Sequence, residues 1–114
     1  MPAAIKNITL EAGASYQLEF RWLDSEEAPT PLEGYTAAAQ VREGFTSTRP
    51  LLTFSIELED EGTGFVRATA EQTRTAVAAA VGREAVWDLE LTPPEGGPIR
   101  LLKGKVHLSP EATK

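Results

Sequence analysis

Cysteine is absent from the chain, and histidine occurs once, as His107. Without cysteine there is no disulfide framework, no thiolate zinc site and no thiol nucleophile, so the core alone must stabilise the fold. Nucleophilic triads, metalloprotease helices and most proton shuttles need well-placed histidines, and a single histidine provides little for them. The sequence therefore predicts a protein that is not an enzyme and that holds no metal and no cofactor.

Long apolar runs and an excess of basic residues are also missing. The longest aliphatic stretch, from Ala76 to Val81, is far shorter than the roughly 18 residues that a membrane span needs. The 17 acidic residues against 11 basic ones give a net charge of −6, which repels phosphate backbones and anionic lipid headgroups. The amino terminus does not resemble a secretory signal. We expect no nucleic acid partner and no membrane partner.

Alternation of apolar and polar residues indicates four β-strands, because every second side chain of a half-buried strand faces the core. The four stretches are Ser15–Leu23, Leu52–Glu59, Trp87–Leu91 and Leu102–Leu108. Three weaker candidates, at Ile5–Leu10, Thr36–Arg42 and Phe65–Ala68, bring the number of strands to about seven. Leu101 is out of phase with the last stretch, which predicts a bulge near Leu101 and Leu102.

Proline and glycine cluster in turns between these strands. The turns are Asp24–Pro31, Asp60–Gly64 and Pro93–Pro98. Frequent turns between short strands are typical of sandwiches and barrels, and 114 residues suit one domain with one core. The sequence therefore predicts an all-β fold with a single domain over residues 1–114.

One segment breaks the two-residue pattern and predicts a short helix. Thr69 and Gln72 have the spacing of a capping box, and the alanine-rich stretch Thr73–Val81 follows before Gly82. Val77 and Val81 are one turn apart and are expected to face the sheets. Such a helix closes one end of a sandwich.

Two acidic turns and one aromatic loop are the candidate partner-binding sites. Asp24 and Glu26 lie in the acidic turn around Asp24–Glu27, and Glu59 and Asp60 lie in the acidic turn around Glu57–Glu61. Acidic turns of this kind steer docking towards a basic surface, or they simply keep the protein soluble. Gly34 and Tyr35 form the aromatic loop, in which Tyr35 either contacts a partner or closes the core.

Other conspicuous residues are assigned to the surface or the core. His107 shares an exposed strand face with Lys103 and Lys105, so we expect a solvated histidine. Trp22 and Trp87 lie in alternating strands, which favours the core over an interface. The segment up to Leu10 and the segment Ser109–Lys114 are expected to be the stretches freest to pair with another chain.

Three stretches of the chain resemble small proteins encoded in the tail regions of tailed bacteriophages. They are Glu11–Tyr16, then Pro31–Ala37 with Gln40–Arg42, and finally Trp87–Leu91 with Arg100–Val106 and Ser109–Thr113. The resemblance covers nearly the whole chain. The sequence departs from the pattern at Glu33, where threonine is usual, and at Trp87, where tyrosine is usual.

This resemblance implies an immunoglobulin-like antiparallel β-sandwich, similar to the amino-terminal domain of baseplate upper proteins, which attach receptor-binding fibres. It implies a virion structural protein that is made in the bacterial host cytoplasm. Such a protein binds other tail, baseplate or fibre proteins, in multiple copies within a symmetric assembly. The alternative is a free β-sandwich module that binds carbohydrate or a regulatory protein outside the virion.

Overall fold

A computed structural model describes residues 3–23, 26, 28, 30–44, 49–59, 61–80 and 84–110. These residues form nine strands and one α-helix. The strands are β1 (Ala4–Ile5), β2 (Ile8–Glu11), β3 (Tyr16–Arg21), β4 (Thr36–Arg42), β5 (Pro50–Thr53), β6 (Ser55–Leu58), β7 (Thr63–Ala68), β8 (Glu84–Thr92) and β9 (Ile99–Ser109). The helix is α1 (Ala70–Ala80).

The strands form two sheets that face each other across a single core. The larger sheet has the order β1-β9-β8-β4-β5, with β2 also paired to β9, and the smaller sheet has the order β3-β7-β6. In immunoglobulin nomenclature the smaller sheet contains strands B, E and D, and the larger sheet contains G, F, C and C′. The prediction of an all-β, immunoglobulin-like sandwich with one short helix is therefore confirmed.

Two of the seven predicted strands are each divided in the structure, which gives nine. The alternating stretch Leu52–Glu59 was expected to be one strand, but it forms β5 in the larger sheet and β6 in the smaller sheet. The chain crosses between the sheets at Phe54, whose N–H donates to the Ala39 carbonyl oxygen (3.0 Å). The alternation continues through the crossing because both sheets face the same core.

The amino-terminal segment differs from the expectation of a free stretch, because its described residues up to Leu10 are held in the larger sheet. Ile8 and Leu10 are buried, and β1 and β2 both run parallel to β9. This parallel pairing departs from the purely antiparallel sandwich that the resemblance implied. The pairing buries two apolar side chains that would otherwise face water, which favours the docked strand.

A close approach of three strands explains the break between β1 and β2. The Lys6 carbonyl oxygen turns inward and accepts a hydrogen bond from the indole Nε1 of the buried Trp87 (2.7 Å). Asn7 Oδ1 accepts the Lys105 backbone N–H (3.0 Å), a donor that a continuous strand would have paired. Gly104 lies opposite Trp87, and a Cβ atom there would overlap the Lys6 carbonyl group.

The predicted bulge in the last strand is confirmed. Leu89 pairs with Leu102 and Glu90 pairs with Arg100, so Leu101 is the extra residue. Beyond the bulge, His107 is exposed, as expected. Of the other carboxy-terminal residues, 111–114 lie outside the described part of the chain.

Helix α1 closes one end of the sandwich, and its capping box is formed as predicted. The Thr69 N–H donates to Gln72 Oε1 (2.9 Å), and the Gln72 N–H donates to Thr69 Oγ1 (3.1 Å). Val77 is buried against the sheets, whereas Val81 lies outside the described residues. The buried Thr73 hydroxyl lies 2.8 Å from the Ala14 carbonyl oxygen, which joins the helix to the turn before β3.

Candidate protein-interaction site

Three loops meet at the end of the sandwich opposite α1, and we call this surface the loop end. The B–C loop spans residues 22–35, the D–E loop spans residues 59–62 and the F–G loop spans residues 93–98. Each loop joins two strands whose neighbouring ends lie at this end of the sheets. Binding residues are often carried by loops of this kind, because the rigid sheets fix their positions.

The B–C and F–G loops are in contact at Gly34. Gly34 has a φ of +80°, a conformation that a side chain strains, and a Cβ atom there would lie 3.1 Å from Pro94 Cγ. The Tyr35 N–H donates to the Leu32 carbonyl oxygen (3.1 Å), which closes the turn that presents Gly34. The loop that carries Gly34 and Tyr35 is therefore held against the F–G loop.

The D–E loop is attached to the B–C loop through hydrogen bonds that involve Trp22 and Gly62. The Trp22 N–H donates to the Gly62 carbonyl oxygen (2.7 Å), and the Thr30 N–H donates to the Trp22 carbonyl oxygen (2.9 Å). Gly62 has a φ of +76°, and a Cβ atom there would lie 2.6 Å from that Trp22 oxygen. The Trp22 and Tyr35 rings pack edge to face, with 5.8 Å between centroids and an interplanar angle of 83°.

Acidic residues are concentrated in the sequence of the three loops. In the sequence, the three loops hold eight of the 17 acidic residues and no lysine or arginine. These residues are Asp24, Glu26, Glu27, Glu33, Glu59, Asp60, Glu61 and Glu95. The rest of the chain carries nine acidic and 11 basic residues. The net charge of −6 therefore originates in these segments of the sequence. Five of the eight acidic residues, Glu26, Glu33, Glu59, Glu61 and Glu95, are among the described residues, and their charges create a negative potential at one end of the molecule.

The structure brings together the predicted candidates that it describes. Gly34, Tyr35, Glu26 and Glu59 all belong to the loop end, where Glu26 and Glu59 are exposed. Tyr35 is half-buried and packs against the core, so one part of its ring closes the core and another part faces solvent. Asp24 and Asp60 lie outside the described residues.

Sequence reasoning did not single out Glu33, Glu95 or Pro94, and it did not predict that they share one surface with the acidic turn that contains Glu61. Glu33, Glu61 and Glu95 are exposed at the loop end, and Pro94 contacts Gly34. Glu61, Pro94 and Glu95 lie in turns that the sequence predicts, whereas Glu33 follows the first predicted turn, which ends at Pro31. A count of acidic and basic residues over the three turns would have revealed the excess of negative charge. It would not have shown that the turns are neighbours in three dimensions.

Two other surfaces of the described residues are weaker candidates for a binding site. A groove of about 360 Å³ lies between β5 and α1, but Glu71 is the one ionisable group in its lining. Phe65 is the half-exposed aromatic ring on the outer face of the smaller sheet, and the Arg67 guanidinium covers it at 4.9 Å. Arg67 is in turn paired with Glu57 (2.7 Å). Burial raises the pKa of the half-buried Tyr16 phenol above its ordinary value of 10.0, and the Tyr16 ring packs against Phe54.

Within the described residues, no group of histidine, aspartate or glutamate side chains is arranged to hold a metal ion. The same residues include no helix that is long and apolar enough to cross a membrane.

The fold and the loop end define an immunoglobulin-like β-sandwich with a preorganised, acidic set of loops. The sequence matches a family model over residues 2–109, and the chain belongs to this family, the LtfC-like β-sandwich domains. LtfC is a protein related to phage tail fibres, so the family supports a phage tail-associated β-sandwich.

Two solved structures are similar to this chain at low sequence identity. The titin M3 domain is 12% identical, with a TM-score of 0.45, and the match covers 96% of this chain and 91% of that one. A nucleoside hydrolase-related hypothetical protein from Saccharophagus degradans is also 12% identical, with a TM-score of 0.35, over 91% of this chain and 22% of that one. No curated protein matches the sequence.

Proposed function

We propose that this chain is a non-enzymatic structural protein of a tailed-phage virion. In this role it joins tail, baseplate or fibre proteins through protein–protein contacts, in several copies per particle. The observation that carries the proposal is the family match, which extends over residues 2–109 and links the chain to a tail fibre-related protein. The protein is then made in the host cytoplasm and resides in the assembled particle.

The loop end is the surface that best fits such a contact. Its three loops are fixed to one another through Gly34 and Pro94 and through Trp22 and Gly62, so little conformational entropy is lost when a partner binds. Its negative potential complements a basic surface and raises the rate of encounter. The partner that fits is therefore a virion protein with a basic patch.

Quantitative mass spectrometry of purified particles tests the proposed role. In particles of the phage that encodes this chain, we expect a fixed number of copies relative to the major tail protein. The number should not change on further purification or between preparations. Absence from washed particles would contradict the proposal and would favour a free module that binds carbohydrate or a regulatory protein.

Charge reversal tests the proposed surface separately. The variant Glu33→Lys/Glu61→Lys reverses two exposed charges at the loop end, and Glu11→Lys/Glu84→Lys reverses two exposed charges elsewhere. Both variants change the net charge equally. We expect incorporation into particles to fall about tenfold or more for the first variant only, because charge complementarity to a basic partner is lost. Equal incorporation of the two variants would exclude the loop end.

A further inference from the structure

The edges of the two sheets are not equally protected against pairing with another chain. At one edge of the larger sheet, β5 begins with Pro50, and its Thr53 carbonyl oxygen accepts a hydrogen bond from Gln72 Nε2 of α1 (3.0 Å). At the other edge, the chain is interrupted between β1 and β2. Short, interrupted or covered edge strands are the usual protection against unwanted pairing.

Strand β3 lacks these forms of protection. It is six residues long, contains no proline and pairs with β7 in an unbroken register. Strand β6, at the other edge of the smaller sheet, has four residues. Within the described part of the chain, no strand pairs with the outer edge of β3. A regular strand with an open edge is a template for a further strand.

The backbone groups that face this open edge can be assigned. The Trp22 N–H donates to the Gly62 carbonyl oxygen on the β7 side. Backbone groups of successive residues in an antiparallel strand point to opposite sides, so Phe20 also faces β7. The N–H and C=O groups of Glu19 and Arg21 therefore point away from β7, towards the open edge.

The side chains of β3 form a self-complementary pattern. Glu19 and Arg21 are exposed on the outer face, and neither forms an ion pair with another described residue. Leu18 and Trp22 are half-buried on the inner face, which leaves apolar surface at the edge.

We propose that β3 pairs with β3 of a second copy of this chain, antiparallel across a twofold axis at Phe20. In this register Glu19 lies opposite the partner's Arg21, and Arg21 lies opposite the partner's Glu19. On the inner face, Leu18 lies opposite the partner's Trp22. Opposite charges and apolar pairs in directly facing positions stabilise a sheet, and the two smaller sheets become one six-stranded sheet.

The neighbouring registers are less favourable. A twofold axis at Glu19 places two glutamates opposite each other, and like charges in directly facing positions destabilise a sheet. An axis at Leu18 places Glu19 opposite Gln17 and Arg21 opposite Ser15, so neither charge has a partner of opposite sign. The order of charges along β3 therefore selects one register and favours a second copy of the same strand. This inference does not depend on the proposed role in the virion.

Sedimentation velocity over a range of protein concentrations tests the proposal. We expect a monomer–dimer equilibrium for the unaltered chain. Glu19→Arg and Arg21→Glu each create two contacts between like charges, so each should raise the dimer Kd about tenfold or more. An equimolar mixture of the two variants should restore dimers, because each supplies the charge that the other lacks. Glu84→Arg and Arg74→Glu, with the same charge changes at other exposed positions, should leave the Kd within about threefold.

Hydrogen exchange provides a measurement on the unaltered chain. The amides of Glu19 and Arg21 should become protected as the protein concentration rises, because their N–H groups then pair with the partner strand. A chain that stays monomeric at about 0.5 mM, far above the micromolar Kd typical of a specific weak complex, would overturn the proposal. A dimer that both single variants retain, or that the mixture fails to restore, would overturn it as well.

Discussion

Gly104 permits the contact that fixes the amino-terminal segment. It lies opposite Trp87 in the pairing of β8 and β9, and the space where a Cβ atom would lie is filled by the Lys6 carbonyl group. That carbonyl group satisfies the buried indole N–H, which would otherwise cost about 1–3 kcal/mol. The glycine in the middle of this long strand is therefore explained by a close backbone approach and not by a turn.

Gly104→Ala is expected to lower the free energy of unfolding by about 2–4 kcal/mol, through overpacking and loss of the Trp87 hydrogen bond. Urea denaturation measures this change. Gly97→Ala is the matched control, because no atom lies within 4 Å of the Cβ position at Gly97. The control should keep or slightly raise stability. Equal effects of the two substitutions would contradict the packing at Lys6.

The two tryptophans show how far alternation predicts single residues. Alternation correctly placed Trp87 in the core, where its exposed fraction is 1%. It could not find the hydrogen-bond partner, because Trp87 and Lys6 are 81 positions apart in the sequence. The same pattern assigned Trp22 to the core, yet Trp22 is half-buried because β3 ends at Arg21. A repeating pattern of apolar residues does not show where along the strand the opposing sheet stops covering the side chains.

Helix α1 and the edge strand β5 are linked by one side chain, Gln72. Its Oε1 accepts the Thr69 N–H, and its Nε2 donates to the Thr53 carbonyl oxygen (3.0 Å). Gln72 therefore caps the helix and also satisfies a backbone acceptor on the open side of β5. The capping box was predictable from its spacing, whereas the bond to β5 depends on the position of the helix in three dimensions.

Gln72→Ala should destabilise the protein by about 1–2 kcal/mol, because it removes the capping acceptor and exposes the edge of β5. Arg74→Ala, at an exposed position of the same helix, is the control and should change stability by less than about 0.5 kcal/mol. Thermal unfolding, monitored by circular dichroism, measures the stability of both variants. If Gln72→Ala lowers the melting temperature no more than Arg74→Ala does, the hydrogen bonds of the Gln72 side chain make no net contribution to the stability of the protein.

Strand content was more predictable than strand connection. Every alternating stretch contains β structure, because the alternation reflects burial on one face. The crossing at Phe54 was missed because the side chains on either side of it enter the same core from opposite sheets. Similarly, the acidic turns were recognised singly. The turns come together at the loop end because of the order of the strands in the two sheets, and local sequence patterns do not encode that order.

The separation of charge between the loop end and the rest of the protein affects stability. Raising the NaCl concentration from about 0.01 M to about 0.15 M shortens the Debye length from about 30 Å to about 8 Å. Repulsion among the three loops is then screened, and the free energy of unfolding should rise by roughly 0.5 kcal/mol. Urea denaturation at the two salt concentrations measures the change.

Two neutralised variants with the same net charge locate the origin of this salt effect. Glu33→Gln/Glu61→Gln removes two negative charges from the loop end and should reduce the dependence on NaCl. Glu11→Gln/Glu84→Gln removes two exposed negative charges elsewhere and should leave it intact. The same salt dependence in both variants would show that the effect comes from the overall charge and not from crowding of the loops.

The parallel pairing of β1 and β2 with β9 has a consequence for synthesis on the ribosome. Ile8 pairs with Val106, so β2 emerges from the ribosome long before its strand partner β9 has been synthesised. Until β9 leaves the exit tunnel, Ile8 and Leu10 have no strand beside them, and the nascent chain exposes an apolar segment that other chains can bind. Pairing across such a long sequence separation also slows folding, because a large loop must close first. Completion of the sheet is therefore expected to wait until β9 has been synthesised and has left the tunnel.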